Sequence, residues 1–211
     1  VILVHGMWDT QGIFSRLQPH LERQGRVVYG LDLLPSNGDL PLEDLAQQLA
    51  AFIEATCSTE TPIDVVGFSM GGIVSRYYLQ RLGGLARVQR LVTIASPHHG
   101  TLTAYLSDRP GCQQLRPNHP FLQDLNSDLD QLRHVQHTSI WTPFDGMIVP
   151  AWSSVLPGAG NIWVPVPLHA WMVRDPRCLQ TISRALAQPV TAPTGCDGSP
   201  ETSSADVSPI R

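Results

Sequence analysis

"IDVVGFSMGGIVSRYY", residues 63–78, is the stretch that decides the fold. Its first six residues are mostly apolar and β-prone, and Ile73, Val74, Tyr77, Tyr78 and Leu82 then recur at helical spacing. A buried strand therefore passes into a helix within a few residues. At the junction stands Gly67-Phe68-Ser69-Met70-Gly71, a match to Gly-x-Ser-x-Gly, the nucleophile elbow. In that turn the serine is held in a strained conformation with its oxygen exposed, and Gly67 and Gly71 occupy places where a β-carbon would clash. A chain of this length shows the five-residue pattern by chance roughly one time in ten. The weight comes from the strand before it and the helix after it; the rival reading of Ser69 is a small polar residue in a surface loop.

Outward from the elbow, short β-branched runs alternate with segments of helical periodicity, the pattern of a mostly parallel sheet with helices on both faces. Six strands are expected, at 1–5, 27–33, 63–68, 90–96, 137–142 and 161–166. Leu42, Leu45, Ala46, Leu49, Phe52 and Ile53 form one apolar stripe after the start signals Asp39 and Pro41, which predicts a helix between the second and third strands. Ile13, Phe14, Leu17 and Leu21 form another, in which Pro19 marks a kink or a late start. Periodicity weakens over 101–136, where Pro110, Gly111, Pro117 and Pro120 interrupt it; loops and short helices are expected there, in the natural place for a cap or lid. Residues 1–188 thus read as one α/β domain. Residues 189–211, rich in Pro, Ser, Thr and Gly, read as a disordered tail.

Composition narrows the chemistry. The 211 residues carry 18 acidic and 14 basic side chains, a net charge of -4 without any block of like charge, so nucleic acid is not an expected partner. Every basic residue is Arg and there is no Lys, which excludes a Ser-Lys dyad, a Schiff base and a Gly-Lys phosphate loop. Cys57, Cys112, Cys178 and Cys196 form no Cys-x-x-Cys pair and read as reduced thiols. No apolar stretch approaches the ~20 residues of a membrane span, and no signal-peptide pattern is present. The expected compartment is the cytoplasm, with a processed N-terminus left open because the chain begins on "VILVHG" without Met.

A serine hydroxyl needs a base, and the fold that carries this elbow orders its triad Ser, then Asp or Glu, then His. After Ser69 there is no Glu until the tail, the candidate acids are Asp108, Asp124, Asp128, Asp130 and Asp145, and only Asp145 directly follows a predicted strand. Seven of the eight histidines precede Asp145; only His169 follows it, at the end of "NIWVPV". Order and strand ends thus select Ser69 as nucleophile, His169 as base and Asp145 as its orienter. For Asp145 and His169 the bland alternative is a polar loop residue. The oxyanion would be met by the backbone N–H of Met70 and by one from "VHGMW", that of Met7, with His5 bracing the loop.

At this point "VHGM", "GFSMGG", "SPHHGT", "DGMIVP" and the late histidine resemble the small bacterial lipases of the α/β-hydrolase superfamily, from Val1 to about Ala187. The resemblance implies the α/β-hydrolase fold and a carboxylic-ester hydrolase acting on acylglycerols or simpler esters, with the Met7 and Met70 amides as oxyanion hole. It implies no cofactor, and an ester or lipid substrate that could be met at a lipid interface.

Around these positions Met7, Trp8, Met147, Ile148, Leu168 and Trp171 either line an acyl pocket or face the core. No basic cluster lies near the triad in sequence, which speaks against acidic substrates. Asp124, Asn126, Asp128 and Asp130 begin like a calcium loop, but Leu129 stands at the turn glycine and Val135 at the bidentate acid. A solvated polar loop is expected instead. The pairs His98/His99 and His134/His137 lack further ligands for zinc, and no metal site is expected; residues 96–100 should shape the rim of the cleft. Two rivals to the esterase reading use the same residues differently: an acyltransferase or thioesterase with this triad, and a hydrolase-like binding protein without turnover.

Overall fold

A computed structural model describes residues 1–190. Six strands, β1 (Ile2–Val4), β2 (Tyr29–Leu31), β3 (Ile63–Phe68), β4 (Val88–Ile94), β5 (Gln136–Trp141) and β6 (Gly160–Trp163), form one sheet in the order β2-β1-β3-β4-β5-β6. Every pairing is parallel. All strand ends therefore point the same way, and the loops that follow β1, β3, β5 and β6 gather along one rim. Of the expected tail 189–211, residues 191–211, with Cys196, lie outside the described residues.

The helices are α1 (Leu17–Glu22), α2 (Leu42–Thr56), α3 (Met70–Arg81), α4 (Pro110–Gln114), α5 (Pro120–Ser127) and α6 (Pro176–Ala187), with six 3-10 turns between elements. One face of the sheet packs Ile2, Val4 and Val65 against Leu42, Leu45, Leu49 and Ile53 of α2 and against Ile73 and Val74 of α3. The other packs Leu3, Val66, Val92 and Ile140 against Leu17 and Leu21 of α1 and Cys178, Leu179 and Ile182 of α6. Alternate residues of β1 and β3 thus serve opposite layers, which is why both read as continuous apolar runs.

The expected elements form with shifted ends, the fourth, fifth and sixth strands each starting one or two residues early. The second strand covers 29–31 rather than 27–33, because the Leu33 amide leaves the ladder to bond the His5 ring. The fourth stops at Ile94, where Ala95 turns to φ 47°. The last runs 160–163 rather than 161–166, since Pro165 has no amide for the ladder. Pro19 marks a late start: a 3-10 turn over Gln11–Phe14 precedes α1, and Pro19 sits in the first turn, where a missing N–H costs nothing.

Residues 101–136 hold a 3-10 turn at Leu102–Leu106, α4, α5 and a second 3-10 turn at Leu129–His134. The latter part is fastened to α3. Arg76, fully buried, donates to the Leu125 carbonyl at 2.8 Å and to Gln80 Oε1 at 3.2 Å, and Gln80 donates to Leu125 and Asp128. Arg81 pairs with Asp124 and Asp128 at 2.7 Å each. The acidic run expected as a solvated loop is therefore the anchor of α5 to the helix behind the elbow.

Candidate active site

Ser69 ends β3 and caps α3 with φ 54° and ψ −124°, a backbone that side chains adopt only under constraint. Its amide bonds the Ile94 carbonyl at 2.8 Å, and its carbonyl accepts from Gly72 at 3.1 Å. The turn is close-packed on both sides. A β-carbon on Gly67 would lie 2.6 Å from the Gly72 α-carbon, and one on Gly71 would collide with the carbonyl oxygens of Val4 and His5. Gly67 and Gly71 therefore hold the places the elbow assigns them.

Asp145 follows β5 and is buried. Its Oδ1 accepts from the amides of Met147 and Ile148 at 2.9 Å each, while Oδ2 accepts from His169 Nδ1 at 2.8 Å. One oxygen is fixed to backbone, so the other can serve only the imidazole. That bond places the proton on Nδ1 and leaves Nε2 as the basic nitrogen. The imidazole lies against the ring of Phe68, the residue before Ser69, with centroids 4.8 Å apart. Elbow, imidazole and carboxylate are thus brought to one rim; among the described residues no hydrogen bond yet joins the Ser69 hydroxyl to the ring, a contact that commonly tightens only with substrate bound.

The loop after β1 faces the same place. His5 is wholly buried, its Nδ1 bonded to the Gly6 carbonyl at 2.8 Å and its Nε2 accepting from the Leu33 amide at 2.9 Å, so it braces the loop as expected. Trp8 takes φ 59° and its amide bonds the Ser36 carbonyl. Among the described residues the Met7 amide has no protein partner, and the Met70 amide, first in α3, has none within the helix. Two free donors thus flank Ser69, one from each element, and the helix dipole of α3 adds to the second.

A cavity of about 320 Å³ opens at Ser69. Met7, Trp8, Ala104, Leu106, Cys112, Leu115, Met147 and Ile148 line it, together with Pro97, Thr101 and Thr103. Of the residues expected around an acyl pocket, Trp8, Met147 and Ile148 belong to it; Leu168 does not. Leu168 is half exposed at the start of the 3-10 turn His169–Val173, where each residue is rotated by a third of a turn from the next, so directing the His169 ring inward turns Leu168 outward. Trp171 lies on a separate cleft with Arg16 and Arg174.

Three features went unread in the sequence. Cys112 Sγ lies 3.3 Å from Met7 Sδ and lines the cavity beside the loop after β1. Thr101 Oγ1 donates to the Met147 carbonyl and accepts from the Val149 amide, tying the cavity wall to the loop that holds Asp145. His98, expected on the rim, instead points inward to Arg76 at 3.3 Å and Thr93 at 3.1 Å, with His137 on the same threonine.

Over residues 1–206 the sequence matches the model of the Alpha/beta hydrolase family. The chain belongs to that family. This alpha/beta hydrolase is 32% identical over 113 residues to a triacylglycerol lipase of Pseudarthrobacter phenanthrenivorans, a match covering 48% of this chain and 34% of that one. It is 33% identical over 81 residues to a pimeloyl-[acyl-carrier protein] methyl ester esterase of Neisseria meningitidis, covering 38% of this chain and 25% of the other. The matched stretches span about a quarter to a third of these curated relatives. Among solved structures, the hydrolase superposes on Aspergillus fumigatus lipase B with TM-score 0.78 at 18% identity, over 90% of this chain and 52% of that one. On the mature Bacillus licheniformis lipase the TM-score is 0.73 at 17% identity, over 88% and 90%. These likenesses establish the fold, a six-stranded parallel sheet between helices.

Proposed function

We propose that this alpha/beta hydrolase cleaves carboxylic esters of apolar acyl groups through an acyl-enzyme on Ser69. The observation that carries the reading is the Asp145–His169 hydrogen bond of 2.8 Å beside a serine held at φ 54° on the floor of an apolar cavity. His169 Nε2 takes the Ser69 proton as Oγ attacks the acyl carbon; the carbonyl oxygen becomes an oxyanion facing the Met7 and Met70 amides. Collapse expels the alcohol, which receives the proton from His169. Water then repeats the sequence on the acyl-enzyme and releases the acid.

The cavity supports an acyl chain of medium length. Water occupies about 30 Å³ in the liquid and a methylene is of similar size, so the space holds roughly ten methylenes. Lipase and methyl ester esterase relatives agree with an ester substrate.

A fluorophosphonate probe tests the reading directly. Ser69 is expected to be labelled, Ser69→Ala to escape labelling, and p-nitrophenyl octanoate to be turned over faster than acetate or palmitate. An unlabelled Ser69 in folded protein overturns the proposal.

A further inference from the structure

The loop after β1 carries a carboxylate that the reaction above leaves without a task. A β-carbon built on Gly6 would lie 3.0 Å from the Ser69 β-carbon, 3.5 Å from Phe68 Cδ1 and 3.5 Å from Asp9 Oδ2. The Asp9 carboxylate therefore crowds the same point as the nucleophile and as the ring that packs on His169. Among the described residues that carboxylate joins no ion pair and no side-chain hydrogen bond; only the backbone of Asp9 is engaged, its carbonyl by the Ser36 hydroxyl at 2.9 Å and its amide by the Gly6 carbonyl at 3.4 Å. Partial burial raises the Asp9 carboxyl above its ordinary value, and the Arg174 guanidinium and the imidazolium form of His169 oppose that rise. Such attraction is mutual: a positive imidazole that favours the Asp9 carboxylate is favoured by it to the same extent.

A half-buried negative charge beside an oxyanion hole works against the oxyanion. It has a use only if an opposite charge forms close by, and proton transfer from Ser69 to His169 forms one. We infer that Asp9 is a positioning residue whose carboxylate holds negative charge against the His169 imidazolium during acylation and deacylation, in addition to the Asp145 carboxylate bonded at Nδ1. The inference rests on the triad reading above. Asp9 makes and breaks no bond; the proton still passes from Ser69 Oγ to His169 Nε2 and on to the leaving oxygen. The charged and titratable groups that face the pair are Asp145 after β5, His5 beneath the loop and Arg174 at the end of the His169 turn. Arg174 is exposed, so solvent screens its opposing charge more than it screens Asp9.

The test is Asp9→Asn, which keeps shape and removes charge. Turnover of a p-nitrophenyl ester and the rate of fluorophosphonate labelling are followed from pH 5 to pH 10 at low and high salt. Without the Asp9 charge the imidazole gives up its proton more readily. The acid limb of kcat/KM should therefore move down by about half a pH unit, while the alkaline plateau falls by roughly three- to tenfold through kcat. Salt should shrink the difference between the two proteins, and Asp9→Glu should restore most of the plateau. An unmoved acid limb with Ser69 still labelled overturns the inference and leaves the triad standing, and so does a uniform loss at every pH. Absence of labelling in the unsubstituted chain overturns both. Should Asp9→Asn fail to fold, Asp9→Ser is read by the same limb.

Discussion

Gly71, in the first turn of α3, meets the carbonyl oxygen of Val4 at the end of β1 with no space for a side chain between them. Neither partner can retreat: Val4 is paired with both β2 and β3, and His5 leads directly into the oxyanion loop. Gly71→Ala should therefore cost about 3 kcal/mol of stability or more. It should also depress turnover in molecules that remain folded, because displacing Val4 and His5 moves Met7. Calorimetry and an ester assay on the same preparation check both; a variant melting with the parent would contradict the packing.

Asp145→Asn should lower kcat by about 10⁴ with little change in KM, as expected when the orienting acid is lost and the wrong imidazole tautomer forms. The Met147 and Ile148 amides need an acceptor and keep the remaining side-chain oxygen, so the new amide nitrogen is pushed toward His169 Nδ1, donor against donor. Steady-state kinetics would contradict this role if the variant kept a tenth of parental kcat.

Acid should destabilise the fold well above the range in which carboxylates titrate. Burial, and then the charge of Arg76, pushes His137 down to about 3, and burial with the same neighbour holds His98 well below its ordinary value. Both rings stay neutral in the folded protein but gain protons in the unfolded chain below about pH 6.5. Their contribution is complete above that pH and is lost as pH falls, at about 1.4 kcal/mol per unit for each ring. Between pH 7 and pH 5 His137 alone removes about 2 kcal/mol, and His98 adds to the loss. Urea unfolding at pH 7 and pH 5 measures this, and equal stabilities would rule it out.

Ala104 is buried in the cavity wall, and Ala104→Phe should fill the space meant for acyl carbons. The kcat/KM ratio of octanoate to acetate ester should fall by at least tenfold, since each excluded methylene is worth 1–3 kcal/mol or about 10–200-fold. A preserved ratio would move the acyl chain elsewhere.

Much of this site could be read along the chain because its chemistry imposes an order. Once Ser69 stood at the end of a buried strand, only Asp145 and His169 met the rule of acid and then base after later strands, and the 2.8 Å bond joins them. What escaped depends on distance across the fold. Arg76, a charged side chain within α3, is fully buried, and Leu125, 49 residues away, supplies a carbonyl for it. Asp9 is unremarkable in sequence until Gly6 brings it beside Ser69. Leu168 misled in the opposite way: adjacency to His169 along a 3-10 turn sends the two side chains apart.

The bond from Arg76 to Leu125 also fixes which parts of the molecule can open separately. Residues 120–134 hang on the helix that begins after Ser69, so their amide protons should exchange with solvent only when those of 70–81 do, as one foldon. The wall at 102–107, with Leu106 almost fully exposed, has no such tether to α3 and should exchange earlier. Breathing at the mouth of the cavity should thereby be uncoupled from the Ser69 turn, letting a guest enter or leave while the elbow stays rigid.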